Sequence, residues 1–152
     1  KIKKEDIKNI KKIVESTEVF TETEVETAQE LLVTQLLNPQ DTYQFIFLEE
    51  DGKVLGYSCF GKIPLTEDNF DLYWIAVMKN SHNKGFGKIL LEETEKIVKA
   101  QNGRAIYIET SSNPKYENTR KFYLKNKYSK IAEFPDFYKK NDAKIVYIKS
   151  IL

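Results

Sequence analysis

His82-Asn83-Lys84-Gly85-Phe86-Gly87-Lys88 separates an apolar run that ends at Val77 from a helical pattern that opens at Gly85. Two glycines one residue apart let the backbone turn tightly and present its N–H groups. A helix starting behind them offers unpaired donors and the positive end of its dipole, and Lys84 and Lys88 add charge. The stretch therefore reads as a strand–turn–helix able to hold phosphate. It is not the nucleoside-triphosphate loop, which needs four residues between its glycines and Ser or Thr after the lysine; here Lys88 precedes Ile89. Nor is it the full dinucleotide fingerprint, because Leu90 stands where the third glycine belongs. In isolation the heptapeptide reads equally as an ordinary tight turn into a helix.

Working outward, Phe70 to Val77 is nearly all apolar, as expected of a central strand covered on both faces. Gly85 to Gln101 reads as a helix with Ile89, Leu90, Thr94, Ile97 and Val98 inward, stopped by Asn102-Gly103. Tyr43 to Leu48 and Lys53 to Gly61 read as a hairpin turned by Asp51-Gly52, and Pro64 to Asn69 as a loop. Downstream, Arg104 to Thr110 alternates as a strand, and a turn at Ser111 to Pro114 opens a helix through Lys125. Tyr128 to Glu133 and Ala143 to Ile151 read as strands joined by a loop through Phe134-Pro135-Asp136-Phe137-Tyr138.

Before the hairpin, Lys1 to Lys4 reads as a short first strand and Asp6 as the cap of a helix carrying Ile7, Ile10, Ile13 and Val14. Thr21-x-x-Glu24 and Thr23-x-x-Glu26 have capping-box spacing, so a second helix starts there and runs to Asn38-Pro39. Glu15 to Glu30 holds six glutamates and no Lys or Arg. It reads as a solvated helix start whose charges suit the dipole; the alternative is a negative rim that attracts an amine.

Composition narrows the class. At 152 residues the chain reads as one domain, 1–152, able to bury roughly 68–70% of its unfolded surface. A hydrophobic share of 41% and a charged share of 31% are those of a globular protein, and a net charge of +1 gives no footing for nucleic acid. One cysteine, Cys59, excludes an internal disulfide and reads as a buried strand residue; one histidine leaves no His-based metal cluster, so no metal is expected. No apolar run approaches the ~20 residues of a membrane helix, and the N-terminus lacks a signal-peptide core. A cytoplasmic location is expected.

His82-x-x-Gly85-x-Gly87 resembles the Gln/Arg-x-x-Gly-x-Gly/Ala motif of the GNAT superfamily of acyl-CoA-dependent N-acetyltransferases, with His in place of Gln or Arg. Phe122-Tyr123-Leu124-Lys125-Asn126-Lys127-Tyr128 resembles that family's second motif, with Lys127 where glycine is usual. Two motifs at this separation are far more specific than either one. The resemblance implies an α/β (α+β) fold: a mixed, mostly antiparallel sheet of six to seven strands, about four helices, and splayed fourth and fifth strands. It implies acetyl-CoA as co-substrate and a small amine or amino acid as acceptor, with direct transfer in a ternary complex, by a monomer or homodimer. Ile75, Ala76 and Val77 would pair with the pantetheine arm, the N–H near Ile75 would meet the oxyanion, and His82 to Lys88 would hold the pyrophosphate: His82, Asn83, Lys84, Gly85, Phe86, Gly87 and Lys88. Tyr123 matches the family's general acid. A tyrosine with pKa ~10 is protonated at neutral pH and can donate to a thiolate of pKa ~8.5. Asp71, at the start of the fourth strand, is the candidate base, with Glu67, Asp68 and Glu109 as alternatives. Asn113, Tyr116 and Lys125 would complete the coenzyme site, although Tyr116 stands where the family often has asparagine. The aromatic stretch 135–138 either builds an acceptor pocket or covers the sheet end. Two rival functions remain: acetylation of peptide or protein N-termini, and a non-catalytic acyl-CoA-binding regulatory domain.

Overall fold

The computed structural model describes residues 1–40 and 43–152. Helix α1 (Glu5–Ser16) turns Ile10, Ile13 and Val14 inward, and α2 (Glu22–Leu37) turns Val25, Ala28 and Leu32 inward. The capping box at Thr21 forms: its hydroxyl accepts from Glu24 N–H at 3.2 Å, and Glu24 Oε1 accepts from Thr21 N–H at 3.2 Å. At the N-terminus the expectation fails. Lys1 to Lys4 is not a strand, because the Lys3 N–H is taken by the Asp6 carboxylate at 2.8 Å and the Lys3 carbonyl by Asp6 N–H. That local exchange winds the chain into α1, with Lys4 rather than Asp6 at the cap position.

One six-stranded sheet runs in the order β1-β2-β3-β4-β6-β5, built from β1 (Gln44–Glu50), β2 (Lys53–Lys62), β3 (Asn69–Val77), β4 (Ala105–Ser111), β5 (Ser129–Lys139) and β6 (Asp142–Ser150). All neighbours are antiparallel except β3 and β4. This is the mixed, mostly antiparallel sheet expected, with six strands because the first is missing. On one face α1 and α2 pack against Tyr57, Cys59 and Ala76. Cys59 is fully buried, and desolvation pushes its thiol well up, so it packs as an apolar residue. The other face packs Phe60, Leu72, Ile106, Ile108 and Tyr147 under α3 (Phe86–Ala100) and α4 (Glu117–Lys125). Each fully buried side chain of this size contributes about 1.5–3 kcal/mol.

The buried face of α3 is rotated from the expected one. Leu90, Leu91, Thr94 and Val98 are buried, while Ile89 is 47% exposed. A polar contact sets this rotation: Thr94 donates to the Leu90 carbonyl at 2.8 Å, leaving its oxygen to accept from Ser58 of β2 at 2.8 Å. An unpaired buried hydroxyl is costly, so this pair favours the observed rotation of α3 over the sheet.

Phe134 to Tyr138 is not a loop. It continues β5, with the pairing to β6 interrupted between Phe134 and Lys139. The aromatics stay exposed, and Lys144 of β6 lies 4.4 Å from the Phe137 ring centre, so stacking against a cation replaces the missing ladder.

Candidate active site

Strands β3 and β4 pair only at Asn69–Ala105, Phe70–Ile106 and Asp71–Tyr107, then separate. The cause lies on the other edge of β3. Its register against β2 passes from Trp74–Cys59 to Leu72–Phe60, leaving Tyr73 as an extra residue. A bulge bends and twists the bulged strand, and this one follows directly on the last β3–β4 rung. Beyond Asp71 the β4-facing edge of β3 has no strand beside it. A cleft of about 760 Å³ occupies the gap.

Asp71 sits at the apex of this fork. Burial pushes its carboxyl up to about 6, helped by the charge of Glu109 and opposed by Lys144. Tyr73 beside it is pushed up to about 12, mainly by burial and then by the Asp71 charge. Among the alternative bases, Glu109 lines the cleft but is paired with Lys144 at 3.5 Å, and Asp68 is held by Lys62 at 2.7 Å outside it. Glu67 does not line the cleft.

Tyr123 enters the same cleft from α4 and is 6% exposed. Its position follows from how α4 ends. The N–H of Tyr128 returns to the Tyr123 carbonyl at 3.0 Å and that of Lys127 to Leu124 at 3.1 Å. This double closure needs a left-handed residue after the cap, and Lys127 supplies it at φ 71°. Glycine would fit there without strain, which explains the family's usual residue. Phe122, Tyr128 and Tyr147 surround the ring with centroids 5.7–6.2 Å away. The hydroxyl has no hydrogen-bond partner among the described residues, and burial pushes it well above the ordinary tyrosine range. It stays protonated and is free to donate.

The heptapeptide lies after β3, at the wide end of the fork. His82 Nε2 bonds the Val77 carbonyl at 2.8 Å, so the ring ties the turn back to the strand. Asn83 and Gly85 take left-handed conformations at φ 65° and 77°. The first α3 bond is Ile89 N–H to the Gly85 carbonyl at 3.1 Å. The N–H groups of Phe86, Gly87 and Lys88 therefore have no chain partner among the described residues, and no side chain caps the helix. Lys84 and Lys88 are exposed beside them. Gly87 has a further reason. A Cβ there would meet the Phe122 ring at 3.3 Å, so the two sequence motifs touch and glycine permits the contact.

Of the expected site residues, Asp71, Ile75, Asn113, Tyr116 and Tyr123 line one cleft. Ala76 and Val77 carry the same strand toward the turn, whereas Lys125 lies at the exposed end of α4 outside the cleft. Asn113 uses its side-chain oxygen to accept from Lys115 N–H at 3.1 Å, which opens the short turn before α4. Tyr116 donates to Glu24 Oε2 at 2.9 Å, tying α2 to that turn across the cleft. Of the six glutamates in the acidic run, Glu24 is the one that lines the cleft, so it serves both as helix cap and as negative wall.

The sequence reading missed Phe20, Trp74 and Asp142. Phe20 leans over the cleft with its ring 4.8 Å from Trp74 and 6.0 Å from Tyr116. Asp142 is 8% exposed and accepts from the Ser111 hydroxyl. A buried carboxylate in the tight β5–β6 hairpin reads as a turn residue until β4 is placed beside it.

Comparison with known proteins places the family and the fold. Residues 10–128 match the acetyltransferase (GNAT) family. A protein from Desulfovibrio desulfuricans assigned to the GNAT family superposes with TM-score 0.96 at 38% identity, covering 100% of this chain and 96% of that one. The ribosomal-protein-S18-alanine N-acetyltransferase of Escherichia coli superposes with TM-score 0.77 at 16% identity, covering 99% and 90%. An aminoglycoside 6'-N-acetyltransferase complexed with coenzyme A gives TM-score 0.75 at 16% identity, covering 99% and 93%; these two likenesses bear on the fold. No protein of curated function matches the chain in sequence. With a forked parallel pair, an uncapped helix behind a Gly-x-Gly turn and a family match over most of its length, the chain belongs to the GNAT family of acetyltransferases and is an acyltransferase.

Proposed function

We propose that the protein moves an acetyl group from acetyl-CoA to a primary amine of a small molecule, directly, with both substrates in the cleft. The observation that carries this reading is the fork itself: a carboxylate with its pKa raised to about 6 at the apex and an unpartnered, protonated tyrosine in the same cleft. The chain also fits the coenzyme. Three unpaired N–H groups at the start of α3, with Lys84 and Lys88, suit a pyrophosphate, and the partnerless edge of β3 from Ile75 to Val77 suits the amide-bearing pantetheine arm. Asn113 and Tyr116 line the same cleft and would flank that arm; Lys125 would serve the phosphates only by reaching round from the end of α4.

Acetyl-CoA supplies the acetyl group as a thioester. Asp71 accepts the proton that the attacking amine gives up, directly or through a water. A β3 main-chain N–H near Ile75 donates to the carbonyl oxygen as charge gathers there. Tyr123 donates its proton to the departing sulfur. The C–S bond breaks, the C–N bond forms, and the proton on Asp71 restores Tyr123 by way of solvent, leaving an N-acetyl amine and free thiol. Such chemistry suits the cytoplasm, where acyl-CoA is available; among the described residues no helix is long and apolar enough to cross a membrane.

The test is thiol release from acetyl-CoA over a panel of primary amines, with the acetylated product identified by mass. Amine-dependent release is expected. Tight coenzyme A binding with no release from any amine would overturn the transfer reading in favour of a binding module.

A further inference from the structure

The cleft carries a charge pattern that transfer alone does not need. Four carboxylates line it: Glu24, Asp71, Glu109 and Asp142. Asp71 has the base role, and Glu109 is paired with Lys144. Glu24 and Asp142 meet no lysine or arginine among the described residues. Glu24 is held in place by Thr21 N–H and by the Tyr116 hydroxyl, and Asp142 by the Ser111 hydroxyl. Asp142 has one side-chain hydrogen bond among the described residues, so its second oxygen is left to accept from a cation. Both line the one cleft, together with Tyr116 and Tyr138.

Two further observations point to a ligand. Tyr123, buried and unpartnered, lines the same cleft. Phe20, Tyr73, Trp74 and Tyr138 line the cleft together with the four carboxylates, so much of its wall is aromatic. The lysines that line the cleft, Lys115 and Lys139, are exposed, where solvent screens them.

We infer that the acceptor is a short alkane-diamine, with one amine at Asp71 and its far ammonium held between Glu24 and Asp142. This rests on the N-acetyltransferase reading. The aromatic walls take the methylene chain and favour the cation lying against them. The far ammonium keeps its proton, and no bond to it forms or breaks. A monoamine of the same length leaves Glu24 and Asp142 without a cation. An amino acid brings a carboxylate against them and is repelled.

The experiment uses the intact protein, acetyl-CoA, and putrescine and cadaverine against butylamine, pentylamine and free alanine. Release of thiol should be roughly ten- to hundredfold more efficient in kcat/KM for the diamines, chiefly through KM, as expected of a charged hydrogen bond gained in binding. Glu24→Gln should bring the diamine-to-monoamine ratio toward unity. Glutamine keeps the helix cap and still accepts from Tyr116, and thermal melting checks that the variant folds. Asp142→Asn should lower the same ratio. Thiol release with monoamines equal to diamines, or with alanine preferred, would overturn the diamine assignment and leave acetyl transfer standing. A ratio unchanged in both variants would also overturn it. No release from any amine would remove the transfer reading, and the acceptor inference with it.

Discussion

Replacing Asp71 by asparagine keeps the shape of the side chain and removes its capacity to take a proton. Wild-type Asp71, with a pKa of about 6, is roughly 90% ionised at about pH 7 and roughly 10% at about pH 5. If it is the base, kcat/KM should show an acid limb near about pH 6, falling about a further tenfold per pH unit below it beyond the fall that the acceptor's own ionisation imposes. In Asp71→Asn that acid limb should vanish, and the rate near neutral pH should fall by about 10²–10⁴, or ~3–5 kcal/mol of barrier. Coenzyme A affinity should not change. The neighbours give a second check, because Glu109 raises the Asp71 pKa and Lys144 lowers it. Glu109→Gln should move the acid limb to lower pH, and Lys144→Met should move it to higher pH. The same shift bears on stability. Below about 3.8, the ordinary aspartate value, Asp71 is protonated both folded and unfolded, and above about 6 it is ionised in both. Between them the unfolded chain ionises first, so stability falls as pH rises through this window and stays lower above it. Asp71→Asn should therefore melt higher than wild type at about pH 8, with the gap closing by about pH 4. The assay is thiol release at saturating acetyl-CoA across that range, beside thermal melts. An Asp71→Asn enzyme that retains the limb near 6 and the wild-type rate would refute the reasoning and pass the role to Glu109 or to water.

Tyr123→Phe keeps the ring packed between Phe122, Tyr128 and Tyr147 and removes the transferable proton. Turnover should drop by about 10²–10⁴ with coenzyme A affinity kept, and the loss should shrink for donors with a more acidic leaving thiol; full activity would rule out the acid role. Lys84→Ala combined with Lys88→Ala should weaken coenzyme A binding more at low salt than at high salt, because both lysines are exposed; calorimetry showing a salt-independent loss would count against the phosphate assignment. Tyr57 is fully buried, and its hydroxyl has no hydrogen-bond partner among the described residues. Tyr57→Phe should raise stability by about 1–2 kcal/mol in urea unfolding; a loss would mean that the hydroxyl is paired, for instance by a buried water.

What the sequence determined by itself was whatever local rules decide. The capping box at Thr21 and Glu24, the apolar run of β3 and the Gly-x-Gly turn before α3 each depend on residues within one turn or one strand, and each formed as read. The two motifs also announced the family, because their residues are held in register by a contact between Gly87 and Phe122. Where local readings failed, a competing contact was responsible. The Asp6 carboxylate drew the Lys3 N–H into a helix start, and Thr94 and Ser58 set the rotation of α3 that exposes Ile89. Phe134 to Tyr138 reads as a loop, yet it belongs to β5, whose pairing with β6 holds up to Phe134 and resumes at Lys139. The tertiary structure alone decided the cleft. No spacing reveals that the Tyr73 bulge opens β3 from β4, or that Glu24 on α2, Tyr116 before α4 and Asp142 on β6 line one cleft. Those residues lie far apart in the chain, and only the ordering of the sheet, which depends on long-range burial, brings their charges into one space.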